Sequence, residues 1–545
     1  MWRGVPVPRE SPPLRLGAMA DSPLEDAHSN WVPSVNPWIV TVSVMLATFM
    51  VVLDSSVANV ALPHIAGNLS ASVDESTWVL TSYLVSNAIV LPASGWLASM
   101  LGRKRLLMLS IAMFTASSLL CGASLSMPML ILARVLQGAG GGCMQPIAQA
   151  VLLESFPAEK RGAAMAAYGM GVVVAPIIGP TLGGWITDNY SWRWIFYINL
   201  PIGVLALFMV NLFVEDPPYI RASMKRRIDY AGFLAMALWL GSLQLVLDKG
   251  QEDDWFAAAW ICAATALSLA AMVAFLWREL AVEHPIVNLR VLKNRNFSAG
   301  TLIAAVYGMV LYGITAMLPL FLQTLMGYPA LQSGLAVSPR GLGSFLSMFV
   351  AGRLVNVVDN RVLLAIGFIL LAISSAMLGQ INLEIAMSSV AWPNVLNGFA
   401  GGMIFVPLTT MAMGTLRKQE MGNATGVYNL MRNIGGSVGI AVVTTLLARG
   451  AQVHQSILSG HVSAENPILQ REIHALQQGV TSGAGPVAST QQAYGLVYAG
   501  VIRQATLLAY MDNFRLLAGL ALATIPLILI FQRVRKKEGP PQPAE

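Results

Sequence analysis

Asp54 closes the apolar run Phe49-Met50-Val51-Val52-Leu53 in a chain of 545 residues. An acid in such surroundings is expensive to keep charged and is by default a functional residue. Desolvation raises the proton affinity of a carboxylate and a neighbouring cation lowers it, so alternation between the two lets one acid take up and release a proton. Arg134 stands in a second apolar run, and Arg340 and Arg432 stand in two more. Asp54 lies about 24 Å along a helix starting near Trp38, and Arg134 falls at a similar depth on a helix running the other way. The pair is expected to interact. The competing readings are a helix-end carboxylate facing water and an arginine snorkelling to the interface.

Asn59, Gln145, Gln323, Asn394, Asn397 and Asn429 add uncharged polar atoms to apolar stretches. With Arg340 and Arg432 they are the candidates for lining a substrate cavity, although bonding between helices is the commoner use of Asn and Gln. Other chemistries find no support. Gly435-Gly436-Ser437-Val438-Gly439 matches the G-x-S-x-G pattern of hydrolases. It lies in an apolar helix rather than the required strand–turn–helix, and no histidine falls in a span to act as base. There is no Walker A sequence for ATP and no Cys/His spacing for zinc. Cys121, Cys143 and Cys262 all lie in apolar segments, too few and too buried for a disulfide framework. No metal and no cofactor is expected, and ATP is not the expected energy source.

The elements that must hold these residues are membrane helices. Hydrophobic residues make up 55% of the chain and charged ones 11%, with a mean hydropathy of +0.63. Soluble domains carry about 25% charged residues, so an ordinary soluble enzyme, a disordered protein and a nucleic-acid-binding module are excluded. Fourteen apolar stretches are long enough to cross the bilayer: 38–58, 78–98, 106–125, 129–151, 164–187, 195–214, 230–248, 256–277, 297–323, 332–352, 362–380, 390–413, 425–448 and 512–532. Asp54 is the only acid placed well inside one.

Arginine and lysine cluster on one side of these spans, at Arg103/Lys104/Arg105, Lys160/Arg161, Arg221–Arg227, Arg278–Arg295, Arg353/Arg361, Arg417/Lys418 and Arg533–Lys537. The other side holds Arg193, Lys249, Arg449, Arg471 and Arg503. Basic residues mark the cytoplasmic side, so both termini are expected there. The first 36 residues carry no signal-peptide pattern, and Met19 is an alternative start. Residues 449–510 read as a long polar loop on the far side, with a short amphipathic helix at 464–478 and a Gly/Ser-rich stretch from Gly479 to Ser489.

The chain also repeats itself. Val135-Leu136-Gln137-Gly138 and Val395-Leu396-Asn397-Gly398 are 260 positions apart, each followed by a proline, Pro146 and Pro407. Gly95-Trp96-Leu97 with Lys104 matches Gly352-Arg353-Leu354 with Arg361 at an offset of 257. These matches equate span 4 with span 12 and span 2 with span 10. An even displacement preserves direction, which implies a parallel repeat of two six-helix bundles with an inserted pair, spans 7 and 8. The fold class is therefore an all-α polytopic membrane protein. It divides into a tail (1–37), a first bundle (38–214), the inserted helices (215–296), a second bundle (297–532, with the loop 449–510) and a second tail (533–545). A substrate site is expected near the midplane, between the halves. The run Gly138, Gly140, Gly141 and Gly142 permits close helix contact, as do Gly179, Gly183 and Gly184 beside Pro176 and Pro180 on span 5. Those prolines would kink span 5 and suit a rocking element, or be static packing features.

Five motifs together resemble the major facilitator superfamily, in its fourteen-helix drug:proton antiporter branch of the EmrB/QacA type, over roughly residues 35–535. They are Leu53-Asp54-Ser55-Ser56-Val57-Ala58-Asn59, the loop Gly95 to Gly102-Arg103-Lys104-Arg105, Arg134-Val135-Leu136-Gln137-Gly138, Ala175-Pro176 to Gly179-Pro180 and Gly183-Gly184, and Ser191-Trp192-Arg193-Trp194 to Asn199-Leu200-Pro201. The resemblance implies that Asp54 is the proton-coupling acid and Arg134 its modulator, and that span 5 carries the antiporter signature. It implies export of hydrophobic or amphipathic drugs across a bacterial inner membrane by alternating access. It also implies, for EmrB-like members, a periplasmic membrane-fusion adaptor and an outer-membrane channel as partners. Ser99 departs from the pattern, which has an acid there; its loss would loosen one conformation or shift the latch to another residue. The alternatives are export of an endogenous metabolite or siderophore, a membrane-embedded enzyme, and a scaffold that moves nothing.

Overall fold

The computed structural model describes residues 33–217, 229–282, 285–462, 466–480 and 486–532, and among them the regular structure is helical. The expected tails fall mostly outside these residues, as do the basic segments Arg221–Arg227 and Arg533–Lys537. The first six long helices are α1 (Pro37–Asn68), α2 (Val73–Leu101), α3 (Arg103–Gly122), α4 (Met127–Ser155), α5 (Arg161–Asn189) and α6 (Asn199–Phe213). Two inserted helices follow, α7 (Tyr230–Lys249) and α8 (Ala259–Ala281). The second set is α9 (Arg295–Thr324), α10 (Ala330–Val337), α11 (Pro339–Leu354), α12 (Asn360–Leu378), α13 (Met387–Met413), α14 (Met421–Ser459), α15 (Pro467–Val480) and α16 (Pro486–Thr524). Below, the end of each helix nearest the basic clusters is called inner.

Local chemistry sets the boundaries. Ser72 and Glu75 form a capping box that starts α2. Gly102, at φ 85°, ends α2 and begins α3, a left-handed conformation that favours glycine at this motif position. The tenth expected span is broken at Ser338. Pro339 has no N–H to give the carbonyl of Leu335, and the Ser338 hydroxyl donates to it instead at 2.9 Å.

Twelve described helices are long and apolar enough to cross a membrane. The other two expected spans fall short: α4, whose glycines, Arg134, Gln137, Gln145 and Gln149 dilute its apolar character, and the broken α10–α11 pair. By this measure the described residues hold twelve spans against the expected fourteen. The packing repeats between halves: α2 on α4 matches α11 on α13, α1 on α5 matches α9 on α14, and α3 on α6 matches α12 on α16. The repeated glycines cause this. A Cβ on Gly138 would strike the Tyr83 carbonyl of α2, and one on Gly398 the Arg340 carbonyl of α11. The glycines of the false hydrolase motif do the same work, with Gly435 and Gly439 against α9 at Ala305 and Met309. Ser437 donates to Gln244 on α7 at 2.9 Å.

The halves meet along two seams. α5 packs on α11 and α13, while α2 and α4 pack on α14. Gly95 presses against the backbone of Gly422 and Asn423 at the inner end of the second seam, and Asn429 donates to Gln149 across it at 2.7 Å. The inserted α7 lies over this seam and bonds to both halves. Asp248 accepts from Thr81, and Lys249 donates to Thr77 at 2.6 Å, both on α2. Gln244 meets Ser437 on α14, and the indole of Trp255, just after α7, donates to Thr445 of α14 at 3.1 Å.

The region expected as a long loop is mostly helix. α14 and α16 each run for 39 residues, far longer than the apolar stretches within them, and α15 covers most of the expected amphipathic segment. Arg503 binds the Leu325 carbonyl that ends α9, at 2.9–3.2 Å. From there α16 continues outward to Pro486, about 25 Å at 1.5 Å per residue. The hydropathy boundary marks where lipid ends, and the helix does not end with it.

Candidate functional site

Asp54 and Arg134 are both buried, at 1% and 0% exposure, and joined at 2.6 Å between Asp54 Oδ2 and Arg134 Nη1. A second residue of α4 and three further helices complete the enclosure. Gln137, one turn beyond Arg134 on α4, donates to Asp54 Oδ1 at 2.8 Å and accepts from Arg134 at 2.7 Å. Asn199, the first residue of α6, donates to the same Oδ1 at 2.7 Å. Ser118 of α3 accepts from Gln137 at 2.7 Å and from Asn199 at 3.2 Å. Arg134 Nε donates to the Val79 carbonyl of α2 at 3.0 Å, and the guanidinium lies 4.3 Å from the Tyr83 ring centre. Arg134 Nη1 is shared between the carboxylate and Gln137, two neutral amides hold the other carboxylate oxygen, and Nη2 is buried without a partner, so the group is a charge-assisted network buried inside the first bundle.

The Ser191-Trp192-Arg193-Trp194 motif explains how Asn199 reaches this site. Trp192 is buried, Arg193 lies over its ring, and the Arg193 guanidinium donates to the Gly122 carbonyl at the outer end of α3 at 2.8 Å. That clamp and the short turn Trp194–Tyr197 set the start of α6 beside Ser118. Residue-type reasoning found Asp54 and Arg134 but not Gln137, Asn199, Ser118 or Tyr83. Gln137 had a signal in its i+3 spacing from Arg134, and Asn199 in its motif.

The antiporter motif on α5 lies against the helix of Asp54. A Cβ on Gly179 would strike Ser56 and one on Gly183 would strike Val57, both within a turn of Asp54. Gly184 is looser, and Pro176 is exposed.

Gln323 and Asn59 lie apart from the other candidates. Arg432 on α14 donates to Gln145 of α4 at 3.3 Å across the seam. Arg340 donates to Thr315 of α9 at 2.6 Å. Asn397 is buried with neither amide atom bonded, and Asn394 bonds only its own helix, at Val390. Gln323 reaches Ser333 at 3.5 Å near the outer end of α9, away from the seam, and Asn59 is exposed on α1.

One sequence expectation needs correction, the burial of all three cysteines. Acids other than Asp54 are enclosed only at helix ends: Glu154, at the inner end of α4, is buried against Arg103, and Glu279 and Asp248 are also partly or fully enclosed. Asp248 and Glu279 sit at span ends, where sequence alone does not separate a helix terminus from water. Cys262 is exposed, unlike Cys121 and Cys143. With Ser99 bonded to its own helix at Trp96, the loop motif is held elsewhere. Glu154 pairs with Arg103, and Asp216 accepts from the backbone N–H groups of Arg103 and Lys104 at 2.7 and 2.9 Å. Lys104 Nζ donates to the Asn211 carbonyl at 2.6 Å. Among the described residues no three His, Cys, Asp or Glu side chains gather as metal ligands.

Residues 44–440 match the family model described as Major Facilitator Superfamily. The chain is 40% identical over 444 residues to the multidrug export protein EmrB of Haemophilus influenzae, covering 81% of this chain and 86% of that one. It is 37% identical over 493 residues to the multidrug export protein EmrB of Escherichia coli K12, covering 90% and 94%. It is 35% identical over 508 residues to the fatty acid resistance protein FarB of Neisseria gonorrhoeae, covering 93% and 96%. Among solved structures it is similar to the human organic anion transporter MFSD10, with a TM-score of 0.60 at 12% identity, covering 91% of this chain and all of that one. The proton:xylose symporter XylE gives a TM-score of 0.56 at 14% identity, over 88% and 94%. At these identities the two structures speak to the fold alone.

Proposed function

This chain belongs to the major facilitator superfamily, and on that premise we propose that it is a multidrug exporter that exchanges hydrophobic or amphipathic compounds for protons. The observation that carries the reading is the sealed Asp54–Arg134–Gln137–Asn199 network, a titratable acid beside a permanent cation inside a transporter half. Relatives named for multidrug export and fatty acid resistance, with a colistin resistance protein of Acinetobacter baumannii at 29% identity, support it.

The geometry suggests how a proton moves the halves. Protonation of Asp54 removes the charge that holds Arg134, and α1 loosens from α4 and α6. The α5 glycines ride on α1 at Ser56 and Val57, so a shift of α1 reaches α5. α5 in turn forms the seam with α11 and α13, and the first bundle rocks against the second. Proton entry from outside then accompanies drug release to that side. The chain sits in the inner membrane with both termini in the cytoplasm, in keeping with the placement of its basic residues. The outward reach of α16, with Tyr494, Leu496, Tyr498 and Ile502 exposed on it, offers a surface for a periplasmic adaptor leading to an outer-membrane channel.

The test uses purified protein in liposomes with an imposed pH gradient and a fluorescent lipophilic substrate. Gradient-driven flux is expected for wild type and absent for Asp54→Asn, with substrate exchange at zero gradient retained. Full gradient-driven flux in the variant overturns the mechanism.

A further inference from the structure

Charge is balanced in one half of this protein and unbalanced in the other. In the first bundle, Arg134 is neutralised by Asp54. In the second, Arg340 and Arg432 both lie within the membrane spans, and neither forms an ion pair among the described residues. Their depths agree. Arg432 stands eleven residues above the inner end of α14 and Arg340 fourteen above that of α11, about 17 and 21 Å. Two intramembrane cations without counter-charge need a reason, because such residues normally pair or mark a ligand path.

Their surroundings supply one. Arg432 is 9% exposed, bonds Gln145 of the opposite half through Nη2, and leaves Nε buried and unpartnered. Arg340 keeps one bond to Thr315, and its neighbour Gly341 touches Ile177 of α5 in the opposite half. On α9, Gly308 packs against Arg432, and its neighbour Tyr307 brings its hydroxyl to Gly401 of α13, one turn from Asn397. Asn397, whose neighbour Gly398 packs on the Arg340 carbonyl, leaves both amide atoms buried and unbonded. Asp54 does not serve as the missing acid, because its oxygens are occupied by Arg134, Gln137 and Asn199. The seam between α5 and the second bundle also offers Met170, Val173, Phe399 and Phe405, only partly buried, with Phe399 two residues from Asn397. Methionine and aromatic side chains accept apolar bodies of varied shape.

We propose that Arg340 and Arg432, with Tyr307 and Asn397, form a site for the headgroup of an amphipathic organic anion, a carboxylate or sulfonate on an apolar body. The site deepens the exporter reading and rests on it. An entering anion fills the unmet donors and neutralises the cations, so the second bundle discriminates by charge before shape. Cations of equal size are repelled.

The experiment uses two rigid ions of the same size and opposite sign, tetraphenylborate and tetraphenylphosphonium. Their binding to the full-length purified protein is measured without a gradient, against empty micelles. The anion is expected to bind at least tenfold more tightly than the cation. Arg432→Gln and Arg340→Gln are each expected to weaken anion binding about tenfold while leaving cation binding unchanged or stronger. Arg432→Lys, which keeps the charge, should recover part of the loss and shows that the variants are folded. Equal affinity for the two ions in wild type, or an equal loss of both in the glutamine variants, overturns the site. The exporter reading is judged separately, by pH-driven flux in liposomes. Flux of the cation without anion preference sinks the anion site alone, whereas anion binding without gradient-driven flux of either ion sinks the proton-driven exporter and leaves the site standing.

Discussion

Asp54→Asn and Arg134→Gln remove the two ends of the same buried pair, yet they are unequal perturbations. An arginine stays charged at any accessible pH, whereas a carboxylate left without its partner can take a proton and become neutral. After Asp54→Asn, Arg134 retains the Val79 carbonyl and Gln137 Oε1 but has no counter-charge. With charge centres about 4 Å apart and an effective dielectric of about 20, the lost attraction is about 4 kcal/mol. That agrees with the 3–5 kcal/mol typical of breaking a buried pair from one side. After Arg134→Gln, Asp54 keeps two amide donors, from Gln137 and Asn199, and loses one charge-assisted hydrogen bond, about 1.5–3 kcal/mol. The double variant buries no charge and should be more stable than Asp54→Asn alone, with a coupling energy of about 3 kcal/mol. Reversible unfolding by sodium dodecyl sulfate in mixed micelles, followed for the four proteins at one pH, measures the cycle. If the double variant loses the sum of the singles to within about 0.5 kcal/mol, the two side chains act independently and the argument for a coupled pair fails.

Gly95→Val places a side chain against the Gly422 and Asn423 backbone, 2.7–2.8 Å from where its Cβ must go, so α2 should separate from α14 at the inner end. A tenfold loss of transport and faster maleimide labelling of Ser94→Cys in that background are expected; unchanged labelling would show that the contact yields locally. Glu154→Gln removes the carboxylate buried against Arg103, and the same unfolding assay should show a loss of about 3–5 kcal/mol. Joining Gln244→Cys to Ser437→Cys fixes α7 to α14 while leaving the α7 bonds to α2 untouched. If α7 travels with the first bundle, the oxidised protein should stop transporting and recover on reduction; undiminished transport when cross-linked would assign α7 to the second bundle.

Asp54 and Arg134 were legible because a charge in an apolar run has no ordinary explanation, and their matching depths followed from helix rise alone. The repeat was equally legible, since glycines that admit a neighbouring backbone recur wherever that crossing recurs, as at Gly138 and Gly398. Gln137 and Asn199 were not, because neutral amides are common between membrane helices and spacing does not say what they face. Asp248 was hidden at a span end, where depth depends on the very boundary being guessed. The broken tenth span and the 39-residue α14 and α16 escaped for a related reason: hydropathy reports contact with lipid, and helix length is set by hydrogen bonding and by the partners beyond it.

α16 gives the motion of the second bundle a long arm. Arg503 fastens it to the end of α9, and α15 lies along its outer part, so it turns with its bundle as one piece. A tip about 25 Å beyond that fastening sweeps about 0.4 Å for each degree of rotation. A partner gripping the tip would feel each transport cycle as a displacement. By reciprocity, a partner that held the tip in one position would favour one side of the cycle, making the load outside the membrane part of the equilibrium within it.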